Sequence, residues 1–83
     1  MSADDQALFQ ELRGLRRKFS DHEGIPPYFI ATDATLRDMC RKRPKTMHDM
    51  RQVSGIGVMK AQKYGKQFLE TLLAHQKTDA ATT

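Results

Sequence analysis

Gly24-Ile-Pro-Pro-Tyr-Phe-Ile-Ala-Thr-Asp-Ala-Thr-Leu36 is the stretch of this 83-residue chain that breaks an otherwise helical pattern, and its reading decides how the rest is arranged. Pro26 and Pro27 fix φ and push Ile25 out of the helical region, so the chain reaches Tyr28 along a rigid, extended approach. Tyr28, Phe29 and Ile30 are too short a run for a full helix and do not alternate as a strand does, and Asp33 then offers a new helix start. Phe29 and Ile30 are expected to turn into the core and hold a short element down. Tyr28 is expected to face water.

Upstream, Ser2 or Asp4 can cap a helix whose Leu8, Leu12, Leu15 and Phe19 recur at spacings of four, three and four. At 100° per residue Arg13 and Arg17 fall opposite this stripe and Arg16 lies at its border beside Phe9, so these arginines are expected on a wet face. Gly14 weakens the helix and is expected to mark close approach by another backbone. Residues 20–24 end the helix, with Gly24 suited to a positive φ.

Downstream, Asp33 is expected to cap a short helix through Leu36, Met39 and Cys40, stopped by Pro44. Arg41, Lys42 and Arg43 suit the negative end of that helix. Thr46 caps little more than a turn, from Met47 to Gln52, with Met47, Met50 and Val53 on its buried side. Ser54-Gly-Ile-Gly57 is a tight turn with an apolar residue between two glycines. A last helix is expected from about Val58 to His75, with Ala61, Tyr64, Gly65, Phe68 and Leu72 inward and Lys60, Lys63 and Lys66 on the wet side.

The fold class is therefore all-α, and the chain holds one domain at most. At this length only about 60% of the unfolded surface is buried, which leaves little room for a deep catalytic cavity. Apolar runs fall far short of the roughly 18 residues a membrane span needs. Asp4 and Asp5 stand where a secretory leader would be positive, so an intracellular setting is expected. Cys40 has no internal partner and reads as a small core residue.

The net charge is +4 and unevenly spread: residues 1–30 carry four basic and five acidic groups, residues 31–83 ten and five. A polyanion is the partner to consider, against the plainer reading that the cations solubilise helix faces. His22, His48 and His75 have no metal-site spacing, no carboxylate pair is placed for acid and base work, and G-x-x-x-x-G-K-[ST] is absent. By elimination the chain reads as a binding module with no cofactor or metal.

Two stretches carry positive signals. The Ser54–Gly57 turn can present backbone N–H groups to a phosphate at a helix start, or it can be a compact connection with Ile56 plugging the core. An exposed Tyr28 in a basic setting suits stacking on a base, although a tyrosine can equally be core.

Taken together, the L-x-x-L-R of the first helix, Ile25-Pro-Pro-Tyr28, Asp33-Ala-Thr-Leu36, Ser54-Gly-Ile-Gly57 and Lys63-Tyr-Gly-Lys66 with Phe68 resemble an HRDC (helicase and RNase D C-terminal) domain, most closely the bacterial RecQ type. The resemblance runs over roughly Asp5 to His75. It implies a compact bundle of about five short helices at 5–76, with 1–4 and 77–83 as disordered tails. It also implies a monomeric, non-catalytic accessory module of an ATP-dependent 3′→5′ DNA helicase in the bacterial cytoplasm, working on single-stranded or partially duplex DNA in repair and recombination.

ATP and magnesium would belong to the parent helicase. The family's surface aromatic falls on Tyr28, with Lys18, Arg37, Arg41, Lys60 and Lys63 as cation candidates by charge alone. Gly55 and Gly57 resemble the hairpin of a helix-hairpin-helix motif, a rival DNA site. Docking on a helicase core, or the same module in an RNase D-like nuclease, are the alternatives.

Overall fold

The computed structural model describes the backbone of residues 3–82 and the side chains of residues 3–75. Helix α1, Ala3–Glu23, opens with Asp4 and Asp5, whose charge suits the positive helix end. Asp4 pairs with Arg43 and His75 at 2.8 Å each, and the two residues before Ala3 lie outside the described residues. The helix runs three residues beyond Ser20. It closes where Gly24 (φ 68°) lets its own N–H and that of Ile25 reach the Ser20 carbonyl, at 2.8 and 3.1 Å.

The prolines do what their geometry dictates. Pro26 is extended (φ −61°, ψ 147°), Pro27 occupies the first helical position, and α2, Pro27–Ile30, is a single turn ended by extended Ala31. Helix α3, Asp33–Lys42, is capped by Thr32 rather than by Asp33: the Thr32 hydroxyl accepts from the Thr35 N–H at 3.2 Å. That leaves the Asp33 carboxylate, one position on, free to turn back to α1. Leu36, Met39 and Cys40 are buried as expected. Arg43 ends α3 in the left-handed region (φ 49°), held there by its N–H on Met39 O and its guanidinium on Asp4 and Asp5 at 2.8 Å each.

Helix α4 is the turn Met47–Met50, and Thr46 caps it by accepting from the Asp49 N–H at 3.1 Å. Met50 and Val53 are buried, whereas Met47 is partly exposed. After the glycine turn, α5 (Gly57–Lys60), a π-helical turn (Ala61–Gly65) and α6 (Lys66–Thr82) join without leaving right-handed helical dihedrals at Lys60, Ala61 and Lys66. They form one rod. Counting it once, the described residues make five helices and no strand, the all-α bundle expected. The backbone of the rod is helical through Thr82; the side chains beyond His75, and Thr83, lie outside the described residues.

Ala61, Tyr64, Gly65, Phe68 and Leu72 all face inward. Phe19 tilts onto the rings of Tyr64 and Phe68, at centroid distances of 4.8 and 5.7 Å, and so joins α1 to the rod. Gly65 is where α4 docks: a Cβ there would lie 3.0 Å from Met47 Cε and 3.3 Å from Met50 Cγ.

Gly14 does not play the part expected of it. Apart from its chain neighbours and the backbone of its own helix, nothing described lies within 4 Å of where its Cβ would be, and it is exposed. Gly14→Ala is therefore expected to stabilise the domain by about 1 kcal/mol through helix propensity alone. A urea midpoint that falls would show an approach this geometry lacks.

Candidate nucleic-acid interface

Helix α2 presents its aromatics to solvent. Tyr28 is 63% exposed, as expected, but Phe29 is 56% exposed and does not enter the core. A lone turn has one inward position, and fully buried Ile30 takes it. The two rings stack on each other instead, 4.9 Å between centroids and 26° from parallel.

Beneath them, α1 supplies arginines in two ways. Arg16, expected on a wet face, is buried: its guanidinium donates to Ala31 O at 3.0 Å and to Asp33 Oδ1 at 2.8 Å, tying α1 to the joint between α2 and α3. That hydrogen bond holds the Asp33 carboxyl below its ordinary range, with the nearby charges of Arg16, Arg13 and Arg37 adding to it. Arg13 and Arg37 both lie over the ring of Phe9, at 5.9 and 5.5 Å. Arg13, Gly14, Arg17 and Pro27 line a shallow hollow of about 340 Å³ beside α2.

Arg13 and Arg17 were expected only on a wet face of α1, opposite the leucine stripe, and not as site residues. A helical period places them on that face but does not register that α2 folds beside it.

Four of the cations after the prolines are held by carboxylates. Arg41 and Lys42 both hold Asp38, at 2.6 and 3.0 Å, and Arg43 holds Asp4 and Asp5. Lys63 pairs with Glu23, which also accepts from the Tyr64 hydroxyl, and this pairing raises the Lys63 pKa. Lys18 lines a separate hollow between α1 and α6, with Phe19, His22 and Glu70. Among the described residues no carboxylate pairs with Lys18, Arg37 or Lys60. Arg37 alone of the expected cations joins the arginines of α1 around Phe9.

The glycine turn is built for packing. Gly55 and Gly57 have φ of 85° and 63°, Ile56 is buried, and a Cβ on Gly55 would stand 2.5 Å from Thr35 Oγ1. The Ser54 N–H donates to Asp38 Oδ2 at 2.9 Å, so a carboxylate already sits against the turn. Thr35 belongs to the first turn of α3, just after α2, so both expected sites border one joint.

That amide bond is the first cause that lowers the Asp38 pKa to about 2; partial burial opposes it, and Arg41 and Lys42 reinforce it. A depressed carboxyl stabilises the fold above its ordinary pKa and loses that contribution as pH falls through the folded value. Asp38→Asn is therefore expected to cost about 1–2 kcal/mol at pH 7, allowing for screening of its exposed partners. The gap to wild type should close between the ordinary value of 3.8 and about 2. Urea midpoints at stepped pH would read it, and a gap that is independent of pH would refute the charge account.

The described residues form a small all-α bundle that exposes a stacked aromatic pair, and they hold no group of three potential metal ligands and no membrane-length apolar helix. The chain belongs to the HRDC domain family, whose profile matches residues 5–72. It is 38% identical over 72 residues to the ATP-dependent DNA helicase RecQ of Haemophilus influenzae, covering 87% of this chain and 12% of that protein. It is 31% identical over 74 residues to RecQ of Bacillus subtilis, covering 89% and 12%. The chain thus spans about 12% of the length of these helicases. Among solved structures, D. radiodurans RecQ HRDC domain 3 superposes with a TM-score of 0.79 at 28% identity, over 82% of this chain and 90% of that one.

Proposed function

We propose that this chain is a non-catalytic accessory module of a RecQ-type ATP-dependent 3′→5′ DNA helicase. It binds single-stranded DNA weakly and without sequence preference, as a monomer in the bacterial cytoplasm, and so directs its parent to DNA structures in repair and recombination. The observation that carries the reading is Tyr28, two-thirds exposed on a proline-braced turn in an arginine-rich setting. The RecQ relatives support the helicase parent, whose core would hold ATP and magnesium.

Affinity comes from two sources. A base stacks on the tyrosine ring whatever its identity, since every base has a π face. Arginines neutralise phosphates and release counterions, which makes binding depend on salt. With a labelled single strand, log affinity is expected to fall against log salt with a slope near −0.7 per phosphate contact. Tyr28→Ala is expected to lose about 1–3 kcal/mol of binding with the melting curve intact. A flat salt response, or a fold that melts early, would refute this.

A second reading rests on a separate observation. Val58 and Met59, just after the glycine turn, are 57% and 83% exposed, an apolar pair suited to docking on the helicase core of its own chain. If polar substitution of this pair leaves DNA binding alone but weakens association with the helicase core, both readings hold for separate faces.

A further inference from the structure

Phe29 has no role in the fold that its exposure would serve. An exposed phenylalanine forgoes the stabilisation of burial, and its ring stacks 26° from parallel on a similarly exposed tyrosine, so the protein keeps a two-ring column in water. The backbone under it is rigid: Pro26 and Pro27 lead in, Ile30 anchors, and Arg16 locks the following joint to α1.

The surroundings are cationic, not apolar. Pro27 edges the hollow that Arg13 and Arg17 line, and Arg13 and Arg37 flank Phe9. Among the described residues the Arg17 guanidinium pairs with Asp21, in a pair exposed on both sides and open to competition. A protein surface matched to bare aromatics would not call for this charge, whereas a single-stranded nucleic acid supplies both π faces and phosphates at short spacing.

Resting on the single-strand reading above, we infer that Phe29 is a second base-stacking residue: Tyr28 and Phe29 act as one platform, and the phosphate next to the stacked base sits in the Arg13–Arg17 hollow beside Pro27. The two rings already touch, so an incoming base has no gap between them and extends the column on an outer face. Pre-stacking also means that neither ring must be ordered on binding, which favours affinity at low entropic cost.

The test uses a fluorescein-labelled oligothymidylate of about 15 nucleotides, long enough for a site of this class. Anisotropy titrations compare wild type with Phe29→Ala, Phe29→Leu, Tyr28→Ala and the double variant Arg13→Gln/Arg17→Gln. Phe29→Ala and Phe29→Leu are each expected to weaken binding on the order of 5- to 150-fold, as Tyr28→Ala does, with unchanged thermal melts. The arginine pair is expected to flatten the salt slope by about 0.7, the one single-strand phosphate contact that the hollow seats.

Wild-type affinity in both Phe29 variants, with Tyr28→Ala impaired, would overturn the platform and leave the tyrosine reading standing. Loss in Phe29→Ala but not in Phe29→Leu would mean apolar bulk rather than a ring face, and would overturn it too. An unchanged slope in the arginine pair would overturn the phosphate seat. No binding by wild type would end both readings and assign the exposed rings to a protein partner.

Discussion

Phe68→Ala is expected to destabilise the domain by about 3–5 kcal/mol, the range for truncating a buried phenylalanine. Phe68 is fully buried, it is among the largest enclosed side chains, and Phe19 packs against its ring at 5.7 Å. Its loss opens a cavity where α1 meets the rod, and neither side can close it: Phe19 is also held by Tyr64, whose hydroxyl is on Glu23. A domain of this size has about 4–12 kcal/mol in total, so the loss takes from about a quarter to all of it. Phe68→Leu refills most of the volume and should cost far less. Urea unfolding of the two variants checks this, and equal losses in both would mean that ring-specific contacts, not volume, set the cost.

The rod that Phe68 belongs to was the most legible part of the chain, because a long helix repeats its inward positions often enough for the period to show. Capping by Thr46, the glycine turn and the closing role of Gly24 were legible too, since each is a local demand on one or two dihedrals. What failed was long-range. Arg16 shares a row with Leu8, Leu12 and Ser20 at spacing four, all of them buried. A hydrophobicity count reads that arginine as polar, and its acceptors, Ala31 O and Asp33, lie too far along the chain for a period to register.

Charge along the sequence is equally blind to partners that folding brings. The excess after residue 30 pointed to Arg41 and Lys63, yet folding brings Asp38 and Glu23 to them. The arginines of the acidic half, Arg13 and Arg17, end beside α2. Phe29 was unreadable for a simpler reason: a single turn has no period, so nothing local distinguishes the residue that goes in from the one that stays out.

Gly55→Ala is expected to cost about 2–4 kcal/mol, from two causes that can be separated. A non-glycine residue at φ 85° bears left-handed strain of roughly 1–2 kcal/mol. The added methyl also stands 2.5 Å from Thr35 Oγ1, a buried hydroxyl paired with Thr32 Oγ1 at 3.1 Å and therefore slow to yield. Gly57→Ala isolates the first cause, since φ is 63° there and nothing lies within 4 Å of a Cβ. Thr35→Ala isolates the second, so the double variant Gly55→Ala/Thr35→Ala should be more stable than the sum of the single losses by about 1–2 kcal/mol. Additive losses would mean that the close approach carries no energy. The same variants divide the two DNA sites: if Gly57→Ala loses no more stability than its left-handed strain accounts for but loses single-strand affinity as Tyr28→Ala does, the hairpin amides contact the strand. If its affinity is unchanged, the turn serves only to seat the rod against α3, and binding belongs to the face that α2 and the arginines of α1 share.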